Sequence, residues 1–431
     1  MTADPFAYLF SLEQFGIKFG LENIRAIVAA LGHPERTFRS VHIAGTNGKG
    51  SVTAMVESAL RAAGHRAARY TSPHLLDLAE RFFINGKPVD RASLETAIDD
   101  VRGVIARLIA DGTLLAQPTF FEVTTAVGFE LFRRAAVEIA VCEVGLGGRL
   151  DATNVLEPMA TAITSIGLDH QQYLGHSIKD IAGEKAGIIK PGVPVVVGPV
   201  DREALAEIER IATPLNARII PCYDGTDVVL LEPSTTLGNR FRLRTPLHDY
   251  GEVSVGLAGG HQIHNAVVAV RLLETLQEQG VAMPAASIVD GLARVSWPAR
   301  LDLRRLADGR EILLDAAHNP DGAEALATFL RAAQWERAPI VFAAMRDKDI
   351  SGMLAALAPV ASAFVLTRAR NARSADPHEL AEHARRLAPV PVSVETAAAE
   401  ALATAWRLST RIIAAGSIFL LGDVLEELGD A

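Results

Sequence analysis

A chain of 431 residues exceeds what one hydrophobic core usually serves, which predicts two or three domains. Acidic residues outnumber basic ones by 51 to 42, and a net charge of −9 argues against a general nucleic-acid binder, because phosphate neutralisation supplies most non-specific affinity. No apolar run has bilayer-spanning length, and the start Met1-Thr2-Ala3-Asp4-Pro5 lacks a basic, apolar leader. Two cysteines, Cys142 and Cys222, are too few for a disulfide framework or a metal knuckle. The expectation is a cytoplasmic protein with small-molecule partners, no nucleic acid and no membrane.

In chain order, Ser40–Ala44 reads as a short strand, Ser51–Ala63 as a helix ended by Gly64, and the segment to Tyr70-Thr71 as extended. Helices are expected over Arg91–Ala110 and Phe120–Arg134, and strands over Val137–Cys142, Ala160–Ile166 and Val193–Val197. Strands separated by helices imply right-handed crossovers and a mainly parallel sheet. Asn216–Val255, rich in Val, Leu, Thr and Arg between turn residues, reads as a small antiparallel patch, and His261–Gly280 as a helix. A boundary is placed at Trp297-Pro298-Ala299-Arg300. Beyond it a fresh β/α series begins, with strands at Glu311–Leu314, Pro339–Phe342, Ala363–Leu366 and Arg411–Ala414. The predicted fold class is α/β: a P-loop-type, mainly parallel domain over 1–298 and a smaller Rossmann-like domain over 299–431.

Gly45-Thr46-Asn47-Gly48-Lys49-Gly50-Ser51 follows a strand and opens a helix. Glycines there let backbone N–H groups turn around phosphate oxygens, and the helix N-terminus adds partial positive charge. Lys49 supplies a point charge for the β- and γ-phosphates, and the Ser51 hydroxyl can bind Mg²⁺. The pattern departs twice from G-x-x-x-x-G-K-[ST]: Ile43 stands where Gly is usual, and Gly50 separates Lys49 from Ser51.

Ligands of an open parallel sheet bind beyond the carboxyl ends of its strands. The expected strands deliver there the glycine-rich loop, Thr71-Ser72-Pro73-His74, Glu143 with Gly145–Asp151, and Asp169-His170. Such a set suits Mg²⁺, which takes few protein ligands and fills its octahedron with phosphate oxygens and water. Singly, Glu143 also reads as a surface acid, Ser72 as a helix cap and His170 as a core histidine. Lys185, on the following helix, reads from the residues alone as a surface lysine, since an ammonium repels Mg²⁺.

These motifs, in this order, resemble the folylpolyglutamate synthase/dihydrofolate synthase family, relatives of the Mur ligases. The resemblance runs through His42–Ser51, Ser72-Pro73-His74-Leu75, Glu143–Asn154, Leu168-Asp169-His170, Glu184-Lys185-Ala186-Gly187-Ile188, His264-Asn265, Trp297-Pro298-Ala299-Arg300-Leu301 and Asp315-Ala316-Ala317-His318-Asn319-Pro320. It implies that Ser51, Ser72, Glu143 and His170 serve two Mg²⁺ ions, and that Lys185 is carbamylated and so becomes an anionic ligand. It further implies that Asn265, Arg300 and Asp315 hold ATP, and that His318 positions or deprotonates glutamate. Arg149 and Asp151 would lie in a loop meeting the pterin-bearing substrate, and Ser417 would bind the glutamate carboxylate.

The implied activity is ATP-dependent addition of L-glutamate to dihydropteroate or a reduced folate through an acyl phosphate, with both activities on one chain. Two rivals are weighed: a Mur-type ligase acting on a muramyl peptide, and a non-enzymatic nucleotide-binding module. The absence of a heptad seam is compatible with a monomer.

Overall fold

The computed structural model describes residues 4–16, 18–231 and 238–429. Met1–Ala3 of the leader argument and 232–237 of the expected antiparallel patch lie outside the described residues. The strands are β1 (Arg39–Ala44), β2 (Ala67–Tyr70), β3 (Phe82–Ile84), β4 (Lys87–Pro88), β5 (Ile139–Glu143), β6 (Ala160–Ile163), β7 (Val195–Val197) and β8 (Ile219–Pro221). They form one sheet in the order β4-β3-β2-β5-β1-β6-β7-β8. From β2 to β8 every neighbouring pair is parallel, and β3 and β4 add an antiparallel edge.

Sequence pattern explains the burial. β1, β2 and β5 are almost continuously buried, as strands covered on both faces must be. The helix Lys49–Ala62 is buried from Ser51 to Leu60, and Phe120–Arg134 from Glu122 to Phe132, so neither shows a wide polar face. A capping box closes the second: Thr119 accepts from the Glu122 N–H, and the Glu122 carboxylate accepts from the Thr119 N–H. Losing such a cap costs about 1 kcal/mol. Tyr70, Phe82, Phe129 and Phe132 are fully buried in the core beside it. No described helix is long and apolar enough to cross a membrane.

Two compact units emerge. The first comprises the chain to Thr226 with Thr245–Tyr250 and Asn265–Leu292; the second comprises Asp227–Arg244, Gly251–His264 and Ala293–Ala431. The units therefore do not follow a single cut at 298/299. The expected patch divides as well: β8 joins the parallel sheet, and only β9 (Asp227–Leu230), β10 (Asn239–Arg244) and β11 (Asp249–Val255) form the small separate sheet. Within the second unit, Asn239 Nδ2 donates to the carbonyls of Leu257 and Gly259 at 2.8 and 2.9 Å.

The second unit's main sheet is built from β12 (Asp302–Arg305), β13 (Glu311–Asp315), β14 (Ala338–Phe342), β15 (Ala361–Leu366), β16 (Val392–Val394) and β17 (Arg411–Ala415), in the order β12-β13-β17-β14-β15-β16. All pairs are parallel except β12 with β13. The short edge strands β12 and β16 carry half-exposed residues and no strong apolar pattern, which is why the sequence reading passes over them.

Candidate active site

Four adjacent parallel strands of the first unit end in step. Tyr70 pairs with Cys142, Ile43 with Glu143, and Ala44 with Ile163. The loops that follow must leave the same sheet edge side by side, and these are the loops bearing Ser72, Glu143, the glycine-rich turn and His170.

The glycine-rich turn is clamped from the β6 side. Thr164 Oγ1 donates to Asn47 O at 2.6 Å, and Ser165 Oγ donates to the same carbonyl at 3.1 Å while accepting from the Asn47 N–H at 3.0 Å. The Thr46 N–H donates to Ser165 O, and the Thr46 hydroxyl bridges the N–H and carbonyl of Gly167. A sequence reading that extends the strand to Ile166 treats Thr164 and Ser165 as sheet residues. The strand stops at Ile163 because both hydroxyls turn over the loop. A Thr-Ser pair closing an apolar strand is the signal that could have found them.

Two glycines are dictated by neighbours. A Cβ on Gly45 would stand 1.9 Å from Thr164 Oγ1, and one on Gly48 2.3 Å from Asn265 Oδ1. Gly48 also has φ +84° and caps the helix, which begins at Lys49 rather than at Ser51. Asn265 is thereby brought against the loop. Lys49 Nζ curls back to donate to the carbonyls of Gly45 and Thr46 at 3.0 and 3.1 Å. Gly50 and Ser51 lie in the first helical turn, with Ser51 buried.

Lys185 is not a surface lysine. It is 4% exposed, and Nζ donates to Gly45 O at 2.9 Å. In the helix Ile178–Ala186 the buried residues are Ile181, Ala182, Lys185 and Ala186, so helical periodicity turns this lysine inward. Two ammonium groups thus converge on one carbonyl oxygen. Glu143 is likewise buried, and its Oε2 accepts from the Ser72 N–H at 3.4 Å. This excludes a surface acid, and Ser72 starts no helix. His170 is a left-handed residue, φ 51°, that opens the short helix Gln171–Leu174. Among the described residues no group of three histidine, cysteine or acidic side chains could hold a metal by itself. The donors at hand are hydroxyls, one glutamate, one histidine and a modifiable lysine. That set fits Mg²⁺ completed by phosphate oxygens and water.

Arg149 and Asp151 behave differently from each other. Arg149 is exposed and pairs with Glu184 at 2.8 Å. Asp151 faces inward: Oδ2 accepts from the Leu146 N–H, and Oδ1 from the N–H and hydroxyl of Thr153. The carboxylate thus clasps its own loop. Burial pushes Asp151 above the usual carboxylate range, with those hydrogen bonds opposing it. Behind it, His42 Nε2 lies 2.8 Å from Thr153 Oγ1. The Thr153 hydroxyl proton goes to Asp151, so His42 must donate, and burial holds His42 neutral with a pKa lowered to about 3.

The second unit has its own edge, where Asp315 pairs with Ala415, and Phe342 with both Ala415 and Leu366. Asp315 Oδ2 accepts from the Leu301 N–H and Oδ1 from the Ala317 N–H, at 2.9 Å each. It thereby pins the turn holding Arg300, whose neighbours Ala299 and Leu301 both take positive φ, 59° and 49°. Burial raises the Asp315 pKa, and Arg300 opposes that rise. His318 Nδ1 lies 2.9 Å from Ala316 O and must donate to it, leaving Nε2 as an acceptor. Asn319 caps the helix Pro320–Ala332. Ser417 caps Ile418–Leu428, its hydroxyl accepting from the Phe419 N–H.

Residues 105–273 match the Mur ligase middle domain, and residues 299–421 match the Mur ligase glutamate ligase domain. A dihydrofolate synthase/folylpolyglutamate synthase of Bacillus subtilis is 37% identical over 358 residues, spanning 81% of each chain. The chain belongs to the folylpolyglutamate synthase/dihydrofolate synthase family of the Mur ligase superfamily. Solved structures agree with that placement. The folylpolyglutamate synthase of Mycobacterium tuberculosis, complexed with ADP and AMPPCP, superposes with a TM-score of 0.89 at 33% identity, over 99% of both chains. Escherichia coli FolC, in complex with DHPP and ADP, gives 0.86 at 26% identity, over 100% of this chain and 98% of that one. This family member is an ATP-dependent ligase.

Proposed function

We propose that this ligase adds L-glutamate to the carboxylate of dihydropteroate and of reduced folates, both activities residing on one chain. The observation that carries the reading is the in-step ending of β2, β5, β1 and β6. It gathers Ser72, Glu143, the Gly45–Ser51 turn and the His170 loop on one edge, in a family whose relatives bear both activity names.

A carboxylate is a poor electrophile because oxide is a poor leaving group. Its oxygen attacks the γ-phosphorus of ATP, a new O–P bond forms, and ADP departs with the electron pair of the broken bond. The resulting acyl phosphate carries phosphate as leaving group. Lys49 neutralises charge that develops on the transferring phosphoryl oxygens, while loop N–H groups orient the phosphates. Ser51, Ser72, Glu143 and His170 would hold Mg²⁺, which when bound screens phosphate charge. A carbamylated Lys185 would add an anionic ligand there and remove the repulsion between the two ammonium groups at Gly45 O.

In the second unit, Arg300 and Asp315 are assigned to nucleotide, and His318 and Ser417 to glutamate. With the ring proton on Nδ1, His318 Nε2 is the nitrogen suited to accept a proton from the glutamate ammonium. The amine then attacks the acyl carbon, and phosphate leaves as the tetrahedral intermediate collapses to an amide.

Glutamate-dependent ADP release from the purified chain tests the reading. Release is expected with dihydropteroate and with tetrahydrofolate, and not with muramyl substrates. No release with any pterin would reject the folate assignment, and ATP left intact under all conditions would favour a binding module.

A further inference from the structure

Between the Gly145–Asp151 loop and β6 the chain makes a short turn, Ala152–Val155, that holds the buried Asn154. Asn154 Nδ2 donates to Arg149 O and to Gly187 O, both at 3.0 Å, so each amide hydrogen serves one carbonyl. Turning the amide over would set its oxygen against two carbonyl oxygens, which fixes its orientation. The Asn154 carbonyl in turn accepts from Lys190 Nζ at 2.9 Å. One residue thus joins the loop after β5 to the chain that leaves the helix Ile178–Ala186.

The last carbonyls of a helix have no partner within it and must be met from outside. Here the loop after β5 meets them. The Arg149 N–H donates to Glu184 O at 2.8 Å, and Asn154 serves Gly187 O just past the helix. The approach leaves no room for side chains. A Cβ on Gly148 would stand 2.8 Å from both Glu184 O and Lys185 O, and one on Gly187 2.3 Å from Arg149 Cβ. Lys185 lies in this last turn, between the two carbonyls so held.

The contacts close a ring. Lys185 Nζ reaches Gly45 O at 2.9 Å, and Gly45 directly follows β1, which contains His42. His42 Nε2 bonds Thr153, and its neighbour Asn154 returns to Gly187, just beyond Lys185. The lysine and its target are therefore both tied to the Ala152–Val155 turn. A long, flexible lysine side chain has many rotamers, so a reach to one carbonyl requires a fixed origin.

We propose that Asn154 is the positioning residue for Lys185: its amide fixes the helix end and thereby aims the lysine at the glycine-rich turn. The assignment rests on the reading of Lys185 given above and deepens it, since it names the residue through which the lysine is held. Asn154 acts through Lys185 and makes or breaks no covalent bond.

Asn154→Asp keeps the shape and removes both donors, and Asn154→Ala removes the group. The first measurement is acetylation of lysines by acetic anhydride in bicarbonate-free buffer, resolved by mass spectrometry. Lys185 should react about tenfold faster in each variant than in wild type, while exposed Lys87 changes by less than about twofold. The second is single-turnover ADP formation with dihydropteroate. Asn154→Asp should slow it about tenfold in the wild-type background and less than about twofold in Lys185→Ala, where nothing is left to position. A merely structural role would give equal losses in both backgrounds. Equal losses, or unchanged Lys185 reactivity in a folded variant, overturn the assignment. If Asn154→Ala fails to fold, Asn154→Asp decides alone. Full activity of Lys185→Ala overturns the reading of Lys185 instead, and the acetylation rates then decide whether Asn154 positions it.

Discussion

The two sheet edges are built on different principles. In the first unit the functional loops are held by partners far away in the chain: Thr164 and Ser165 on Asn47, Lys185 on Gly45, Asn265 against Gly48. In the second unit the corresponding residues are held locally. Asp315 fastens its own turn and that of Leu301, His318 bonds Ala316, and Asn319 and Ser417 cap the helices they open. A long-range cradle gives a rigid, preformed turn whose failure can be provoked from many sequence positions. A locally braced edge is vulnerable mainly at the residue itself.

The largest expected effects break the cradle. Lys49→Ala should lower phosphoryl transfer by about 10³-fold or more with little change in melting temperature, since charge stabilisation is removed and no core contact is lost. Single-turnover ADP formation and thermal denaturation measure the two sides. Lys185→Ala should lose a similar factor, with partial recovery in added formate or acetate; full activity without added acid would reject carbamylation. For Gly48→Ala about 100-fold weaker nucleotide binding is expected, because the new methyl meets Asn265 Oδ1 at 2.3 Å in a left-handed residue. Binding within threefold of wild type would show that Asn265 moves aside freely.

Effects at the locally braced edge should be more selective. In His318→Gln, turnover with glutamate should fall about 100-fold while nucleotide affinity stays unchanged, as loss of a proton acceptor predicts. A raised KM for ATP would instead tie the residue to the nucleotide. Smaller still, Thr164→Val keeps shape but deletes the 2.6 Å bond to Asn47, and should weaken ATP about tenfold.

The mildest test is acid. His42 and His74 in the first unit have pKa values lowered from 6.5 to about 3, and His261 in the second to about 4, in each case chiefly by burial. Lowered folded-state values mean that the unfolded chain binds protons first. The stabilisation is therefore complete above pH 6.5 and is lost as pH falls toward 3 to 4. Melting temperature should decline over that window, and His42→Gln should flatten the decline by about a few degrees. An unchanged slope would remove His42 from the acid response.

Apolar runs, the glycine-rich turn and the acidic or imidazole residues after each strand were enough to predict a parallel α/β sheet with a phosphate site at its edge. Those features are local in sequence, because side-chain periodicity and turn chemistry act over a few residues. Ser72, Glu143 and His170 could be named from them, and the family from their order. The inward face of Lys185, the inward turn of Asp151, the clamp by Thr164 and Ser165, and the transfer of β9 to β11 into the second unit were decided only by tertiary structure. For Lys185, Thr164 and Ser165 the partner of the buried polar group lies more than a hundred residues away in the chain. Lysine and aspartate read as solvent residues until the fold encloses them, since the need to satisfy a buried charge exists only once water has been excluded.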